Sequence, residues 1–159
     1  KLETVLEQHH KVLIFSQFVQ HLQIIKRALD EQGVAYAYLD GSTTDRKGQV
    51  ESFQKSDGQS VFLISLKAGG VGLNLTAADY VFLLDPWWNP AAEAQAIDRA
   101  HRIGQEKTVF TYKFITKETV EEKILALQQR KLDLANELVT SDESILRALS
   151  EDEVLDLLS

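Results

Sequence analysis

Apolar residues fall along this chain in short unbroken runs, separated by longer stretches of helical period. Val12–Ser16, Val61–Ser65 and residues 80–84 are nearly continuous apolar runs of strand length. Runs without polar alternation suit strands buried on both faces, the pattern of a parallel sheet. Residues 34–39 are rich in β-formers, and 108–115 reads as a closing strand. Between these runs, Phe18, Leu22, Ile25 and Leu29 recur at helical spacing and stop at Gly33, which predicts a helix over 18–31 with a C-terminal glycine. Residues 45–54 predict a polar helix with Val50 and Phe53 inward. Asn89 followed by Pro90 is a helix start signal, and the helix is expected to run through Gln105. The tail opens on Thr119-x-x-Glu122, a capping-box pattern. Val120, Ile124, Leu127, Leu134 and Leu138 then form an apolar stripe broken at Lys131. Ser150-x-x-Glu153 predicts a last short helix with Val154, Leu157 and Leu158 inward. Strands alternating with helices predict one α/β layer sandwich over 1–117, followed by a helical tail over 118–159. That tail either packs on the sandwich or serves as a brace for a further segment.

On the helix expected after Asn89, Gln95, Arg99 and Arg102 point off one face, within a wedge of roughly 60°. The same helix carries Ala91, Ala92, Ala94, Ala96 and Ala100, so its surface is slim and admits a partner closely. Arginine keeps its charge and presents planar donors, which suit a multi-oxygen anion such as a phosphate. His101 lies off the wedge and reads as structural.

Charge changes the picture only once it is divided along the chain. The net charge is −7. Residues 1–117 hold 13 acids and 13 bases, whereas 118–159 hold 11 acids and 4 bases, so the acidity belongs to the tail. A neutral body can hold nucleic acid through local cations and backbone N–H groups. Cysteine is absent, which removes disulfides and thiolate metal sites. The four histidines lack metal-ligand spacing, and His9-His10 reads as a solvated turn before a strand. Methionine is absent even at position 1, which suggests a processed or excised piece. No apolar stretch approaches the ~20 residues of a membrane span.

The strand ends carry the remaining chemistry. Lys67-Ala-Gly-Gly-Val-Gly-Leu-Asn74 follows a buried strand, and its glycines allow a tight turn or a phosphate cradle. It is neither a Gly-x-x-x-x-Gly-Lys-Ser/Thr loop nor a dinucleotide fingerprint. Asp85-Pro-Trp-Trp-Asn-Pro90 places two indoles in a loop stiffened by both prolines of the chain. Ser42, Thr43 and Arg46 either bind phosphate at a helix N-terminus or form a capped turn.

Five blocks occur in a fixed order: Lys11-Val-Leu-Ile-Phe-Ser-Gln-Phe18, Leu39-Asp-Gly-Ser-Thr43, Lys67-Ala-Gly-Gly-Val-Gly-Leu-Asn-Leu75, Asp85-Pro-Trp-Trp-Asn-Pro90 and Asp98-Arg-Ala-His-Arg-Ile-Gly-Gln105. In that order they resemble the C-terminal helicase lobe of the Swi/Snf family of DNA-translocating ATPases, in helicase superfamily two. The tail from Thr119 resembles bacterial members. The resemblance implies a RecA-like fold. It implies that Arg99 and Arg102 are arginine fingers reaching ATP on another lobe, supported by Gln95, Gly70 and Gly72. It also implies DNA-backbone contacts from Gly41, Ser42, Thr43, Lys67 and Asn74, with Trp88 facing DNA; Trp87, by the general preference of tryptophan for packed positions, is assigned to packing.

The phosphate loop and the acidic box of such a motor are absent from this sequence. Mg²⁺ ligands and the water-activating carboxylate are therefore expected on an N-terminal RecA-like lobe. The expected function is the second motor lobe of an ATP-dependent double-stranded DNA translocase or remodeller, inactive alone, with a DNA-bound protein as a further target and no membrane partner. The expected location is the nucleoid-associated cytoplasm if bacterial and the nucleus if eukaryotic. The alternative is a non-catalytic nucleic-acid-binding or protein-interaction module on the same fold.

Overall fold

The computed structural model describes residues 1–68 and 72–140, the last four by backbone alone. In chain order the elements are α1 (Leu2–Glu7), β1 (Val12–Ser16), α2 (Val19–Glu31), β2 (Tyr36–Leu39), α3 (Arg46–Lys55), β3 (Val61–Ser65), β4 (Tyr80–Leu83), α4 (Pro90–Asp98), β5 (Phe110–Lys113) and α5 (Val120–Thr140). The five strands form one sheet in the order β2-β3-β1-β4-β5, and every pairing is parallel. This is the parallel α/β sandwich that the apolar runs predict, in the RecA-like form that the family resemblance implies.

Side-chain alternation along the strands builds two cores. Leu13, Phe15, Phe62, Ile64, Val81 and Leu83 face the layer of α3 and α4, where they meet Phe53, Ala96 and Ala100. Val12, Ile14, Val61, Leu63 and Phe82 face the layer of α1 and α2, where they meet Val5, Leu22 and Leu29. β1 and β3 are buried along their whole length, which is why their sequences do not alternate. The edge strand β5 is mostly exposed.

The helix signals map onto the structure unevenly. Asn89 Oδ1 accepts from the Ala91 N–H at 3.0 Å, with Pro90 in the first position of α4. Gly33, with φ of +67°, ends α2. The capping box at Thr119 is rewired. The Thr119 hydroxyl accepts from the Glu121 N–H at 3.3 Å, and it is Glu121, not Glu122, whose carboxylate reaches back, to the Thr116 N–H at 2.7 Å. The apolar stripe of α5 is also weaker than its period predicts, since Val120 is 60% exposed and Ile124 is its one fully buried apolar residue among the described ones. The short helix at Ser150–Glu153, and the side chain of Leu138, lie outside the described residues. The short α1 has no strong start signal, and the sequence pattern misses it. His10 is not the solvated turn residue expected: its Nδ1 lies 2.5 Å from Asp79 Oδ2, which ties the start of β1 to the start of β4.

Candidate functional site

Strand order reverses direction at β1, which has β3 on one side and β4 on the other. In open parallel sheets ligands gather outside the carboxyl ends of the strands near such a switch. Here that region is closed by a buried carboxylate. Asp85, 1% exposed, accepts from Ser16 Oγ at 2.5 Å and from the Gln17 N–H at 2.8 Å. Gln17 Nε2 donates to the Pro86 carbonyl at 3.2 Å. The ends of β1 and β4 are thereby joined, and the loop that follows Asp85 leaves from a fixed base. Asp85→Ala leaves the Gln17 N–H without its acceptor and leaves the Ser16 hydroxyl only its bonds with Phe18, so a stability loss of about 1–3 kcal/mol is expected in a denaturant titration.

α4 ends at Asp98, about two turns earlier than expected. Arg99 is its cap residue, and the chain continues through single turns: the N–H groups of Arg99 and Ala100 bond Ala96 and Ile97 in the i−3 pattern. Arg102 is therefore not on the helix, and the common-face geometry derived for a continuous helix does not apply. The two arginines converge by another route. The Leu75 N–H donates to the Arg99 carbonyl at 3.0 Å, which fastens the end of the glycine-rich loop to the end of α4. Gln105 supports the turn from below, its Nε2 within 2.8–2.9 Å of the carbonyls of Thr76, Ala78 and Ala100. Sequence reasoning placed Gln105 in a motif but gave it no role; three carbonyls on one amide is a contact pattern that only the tertiary structure reveals.

The product of these ties is a pocket of about 210 Å³ lined by Gly72, Gln95, Asp98, Arg99 and Arg102. Arg99 is 6% exposed. Burial, and then the neighbouring Arg102 charge, push its guanidinium pKa downward. Asp98 lines the same pocket, yet among the described residues no carboxylate forms an ion pair with either arginine. Gly72 adopts φ of +95°, where a side chain would be strained. A buried guanidinium beside a second cation, with no carboxylate in ion-pair contact among the described residues, is an arrangement that an anion completes. His101 is exposed and outside this pocket, so the structural role expected of it has no visible basis. Gly70 lies outside the described residues.

The other expected contacts divide into exposed and engaged groups. Lys67, Asn74 and Gly41 are exposed. Ser42 and Thr43 are engaged with Asp40, whose Oδ1 accepts from the Ser42 N–H at 2.8 Å and from Ser42 Oγ at 2.6 Å, while Thr43 Oγ1 accepts from the Asp40 N–H at 2.9 Å. This is the capped turn that the sequence left open. Arg46 donates to the Ala68 carbonyl at 3.3 Å, bracing the loop after β3. The Ser42 hydroxyl, followed by weaker bonds from neighbouring groups, holds the Asp40 carboxyl below its usual 3.8 against the opposing effect of burial. A depressed folded pKa contributes stability above the unfolded value and loses it as pH falls through the folded one. The melting-temperature advantage over Asp40→Asn is accordingly expected to be full above about pH 5 and to shrink below pH 4.

Trp88 is 48% exposed and Trp87 is half-buried. Trp87 is held through its backbone: its N–H donates to Glu93 Oε1 at 2.7 Å, and its carbonyl accepts from Gln128 Nε2. Glu93, 2% exposed, had no signal in the sequence beyond an acid in a helix's first turn. Among the described residues no group of three or more histidines or carboxylates is arranged to hold a metal, and no helix is long and apolar enough to cross a membrane.

Comparison with known proteins identifies the fold and the family. The family described as "Helicase conserved C-terminal domain" matches residues 1–104. The chain is similar to "DNA repair protein rad8" of Schizosaccharomyces pombe, 51% identical over 123 residues, which cover 76% of this chain and 11% of that protein. It is also similar to an "Uncharacterized ATP-dependent helicase" of Mycoplasma pneumoniae, 41% identical over 158 residues, covering 98% of this chain and 15% of that one. Among solved structures it resembles "Crystal structure of the C-terminal part of Fun30 ATPase domain", with a TM-score of 0.74 and 41% identity over 78% of this chain and 41% of that chain. The chain thus spans between a tenth and a sixth of the length of these two curated relatives. They come from a fungus and a bacterium, so the likeness does not single out the bacterial type implied by the tail. With a matching family over most of its folded body and this neighbour in fold and sequence, the chain belongs to the helicase conserved C-terminal domain family, in its Swi/Snf-like, superfamily-two branch.

Proposed function

We propose that this chain is the second motor lobe of an ATP-dependent, double-stranded DNA translocase or remodeller. The observation that carries the reading is the pocket in which Arg99 and Arg102 meet beside Gly72, Gln95 and Asp98, with neither arginine in an ion pair among the described residues. In the reaction proposed, ATP sits on a companion RecA-like lobe that also supplies the phosphate loop, the Mg²⁺ ligands and the base. Closing the cleft brings the two guanidiniums to the γ-phosphate. Attack of water on phosphorus breaks the bond to the bridging oxygen, and negative charge spreads over the phosphoryl oxygens. Arg99, buried, and Arg102, at the exposed side of the pocket, stabilise that charge. Gly72 allows a close backbone approach, and Gln95 supplies a neutral donor at the pocket rim.

Exposed Lys67, Asn74, Gly41 and Trp88 are the proposed contacts to the duplex. Ser42 and Thr43 shape their turn through Asp40, leaving the loop backbone as the natural partner for a DNA phosphate. Cleft opening and closing then shifts this set of contacts relative to the set on the companion lobe, and a protein bound to the DNA is the object moved. Such a protein works where DNA is, in the nucleoid or the nucleus.

The test is phosphate release with ATP, Mg²⁺ and duplex DNA, by this chain alone and by a protein in which it is joined to its companion lobe. The chain alone is expected to give no turnover above buffer, and the joined protein to give DNA-stimulated turnover. Robust hydrolysis by the chain alone would overturn the proposal.

A further inference from the structure

One buried carboxylate gathers three separate elements. Glu93 Oε1 accepts from the Trp87 N–H at 2.7 Å and from Gln128 Nε2 at 2.8 Å, while Lys113 Nζ lies 2.5 Å from Oε2. These partners come from the tryptophan loop, α5 and β5. Gln128, 3% exposed, also donates to the Trp87 carbonyl. One turn further along α5, Lys131 Nζ donates to the Trp88 carbonyl at 3.2 Å. Both backbone polar groups of Trp87 and the carbonyl of Trp88 are thus held by side chains of α4 and α5.

A helix docked only to bury apolar surface would place an aliphatic residue at its most buried position. Among its described residues α5 places Gln128 there, 3% exposed beside Ile124 at 6%, while Leu132 is 45% exposed. Glu93 Oε1 and the Gln128 amide have specific hydrogen-bond partners, and Oε2 is met by the Lys113 charge alone, so this cluster fixes geometry more than it adds burial. The other side of the loop is fixed by Pro86, Pro90 and the Asp85 network.

We propose that Glu93 and Gln128 form a latch through which α5 sets the Trp87–Trp88 loop, so that a displacement of α5 is transmitted to Trp88. Both are positioning residues. The consequence for DNA rests on the proposed role of Trp88, but the latch itself is tested without DNA.

Trp87 and Trp88 are the only tryptophans in the chain, so intrinsic fluorescence reports on this loop directly. Gln128→Ala is expected to shift emission to the red and to strengthen acrylamide quenching roughly twofold, as a loop released from its hydrogen bonds opens more often. Circular dichroism should show α5 still helical. Glu93→Gln keeps an acceptor for the Trp87 N–H and is expected to hold the emission near that of the parent, whereas Glu93→Ala is not. Gln129→Ala, on the exposed side of α5, is expected to change nothing. If Gln128→Ala fails to fold, the exposed Lys131→Ala decides, with a smaller change of the same sign. Parent-like emission and quenching in Lys131→Ala and in any folded Gln128→Ala would overturn the latch. An equal change in Gln129→Ala would overturn it as well.

Discussion

Arg99→Ala and Arg102→Ala, each in a protein that joins this lobe to its ATP-binding partner, are expected to lower kcat by about 10³-fold or more, within the range that arginine fingers command in GTPases. ATP affinity should change far less. The reason lies in timing: the charge these groups stabilise is only partly present in bound ATP and develops fully as the phosphoryl group transfers. Arg→Lys should rescue poorly at either position, because a single ammonium cannot reproduce the planar fork. A second readout separates this from a folding defect. Arg99 is buried beside a like charge and pairs with no carboxylate among the described residues, so in the absence of an anion it contributes a desolvation cost. Arg99→Met is therefore expected to keep or raise the melting temperature while abolishing turnover, a residue that costs stability at rest and acts when its ligand arrives. Loss of kcat in proportion to loss of folded protein would return Arg99 to a structural role.

The second large effect is expected at Trp88. Truncating a core tryptophan costs about 3–5 kcal/mol. Trp88 is 48% exposed, and among the described residues its polar tie is made through its backbone carbonyl, which Ala retains. Trp88→Ala should therefore cost no more than about 1 kcal/mol of stability. The loop around it is built to be stiff, from Asp85 and the two prolines on one side and from Glu93 and Gln128 on the other. An exposed aromatic on so firm a base suits a contact that must not slip. DNA translocated per ATP hydrolysed is expected to fall severalfold in Trp88→Ala, with hydrolysis itself less affected. Melting temperature, DNA-stimulated hydrolysis and translocation measured on one preparation check this; parent-like coupling would remove Trp88 from the DNA track.

The apolar runs revealed the sheet because β1 and β3 are buried on both faces and tolerate little else. The start of α4 was legible because Asn89 and Pro90 act on their own neighbours. Its end was not. Arg99, Ala100 and Arg102 all have acceptable helix propensity, and what stops the helix is tertiary: Leu75 bonds the Arg99 carbonyl, and Gln105 takes the Ala100 carbonyl. Arg99 and Arg102 line one pocket, but for that reason not from the common helix face that the spacing predicts. Glu93 and Gln128 were invisible for a related one, since a polar residue on a helix announces solvent in sequence, and only the docking of α5 against α4 makes these two buried. Ser42 and Thr43 were ambiguous because a hydroxyl after an aspartate serves a turn and a phosphate equally well, and the structure shows Asp40 already holding them.

The most direct test of the arginine assignment compares two ligands in the joined protein. Affinity for ADP reports the resting site, and affinity for ADP with aluminium fluoride reports the charge distribution of phosphoryl transfer. If Arg99 and Arg102 act on charge that develops during transfer, Arg102→Ala should leave ADP binding within about threefold and weaken the aluminium fluoride complex by about 100-fold or more. Equal weakening of both ligands would show that the arginine contributes uniform binding, and no weakening of either would show that it does not reach the nucleotide; both results contradict the account.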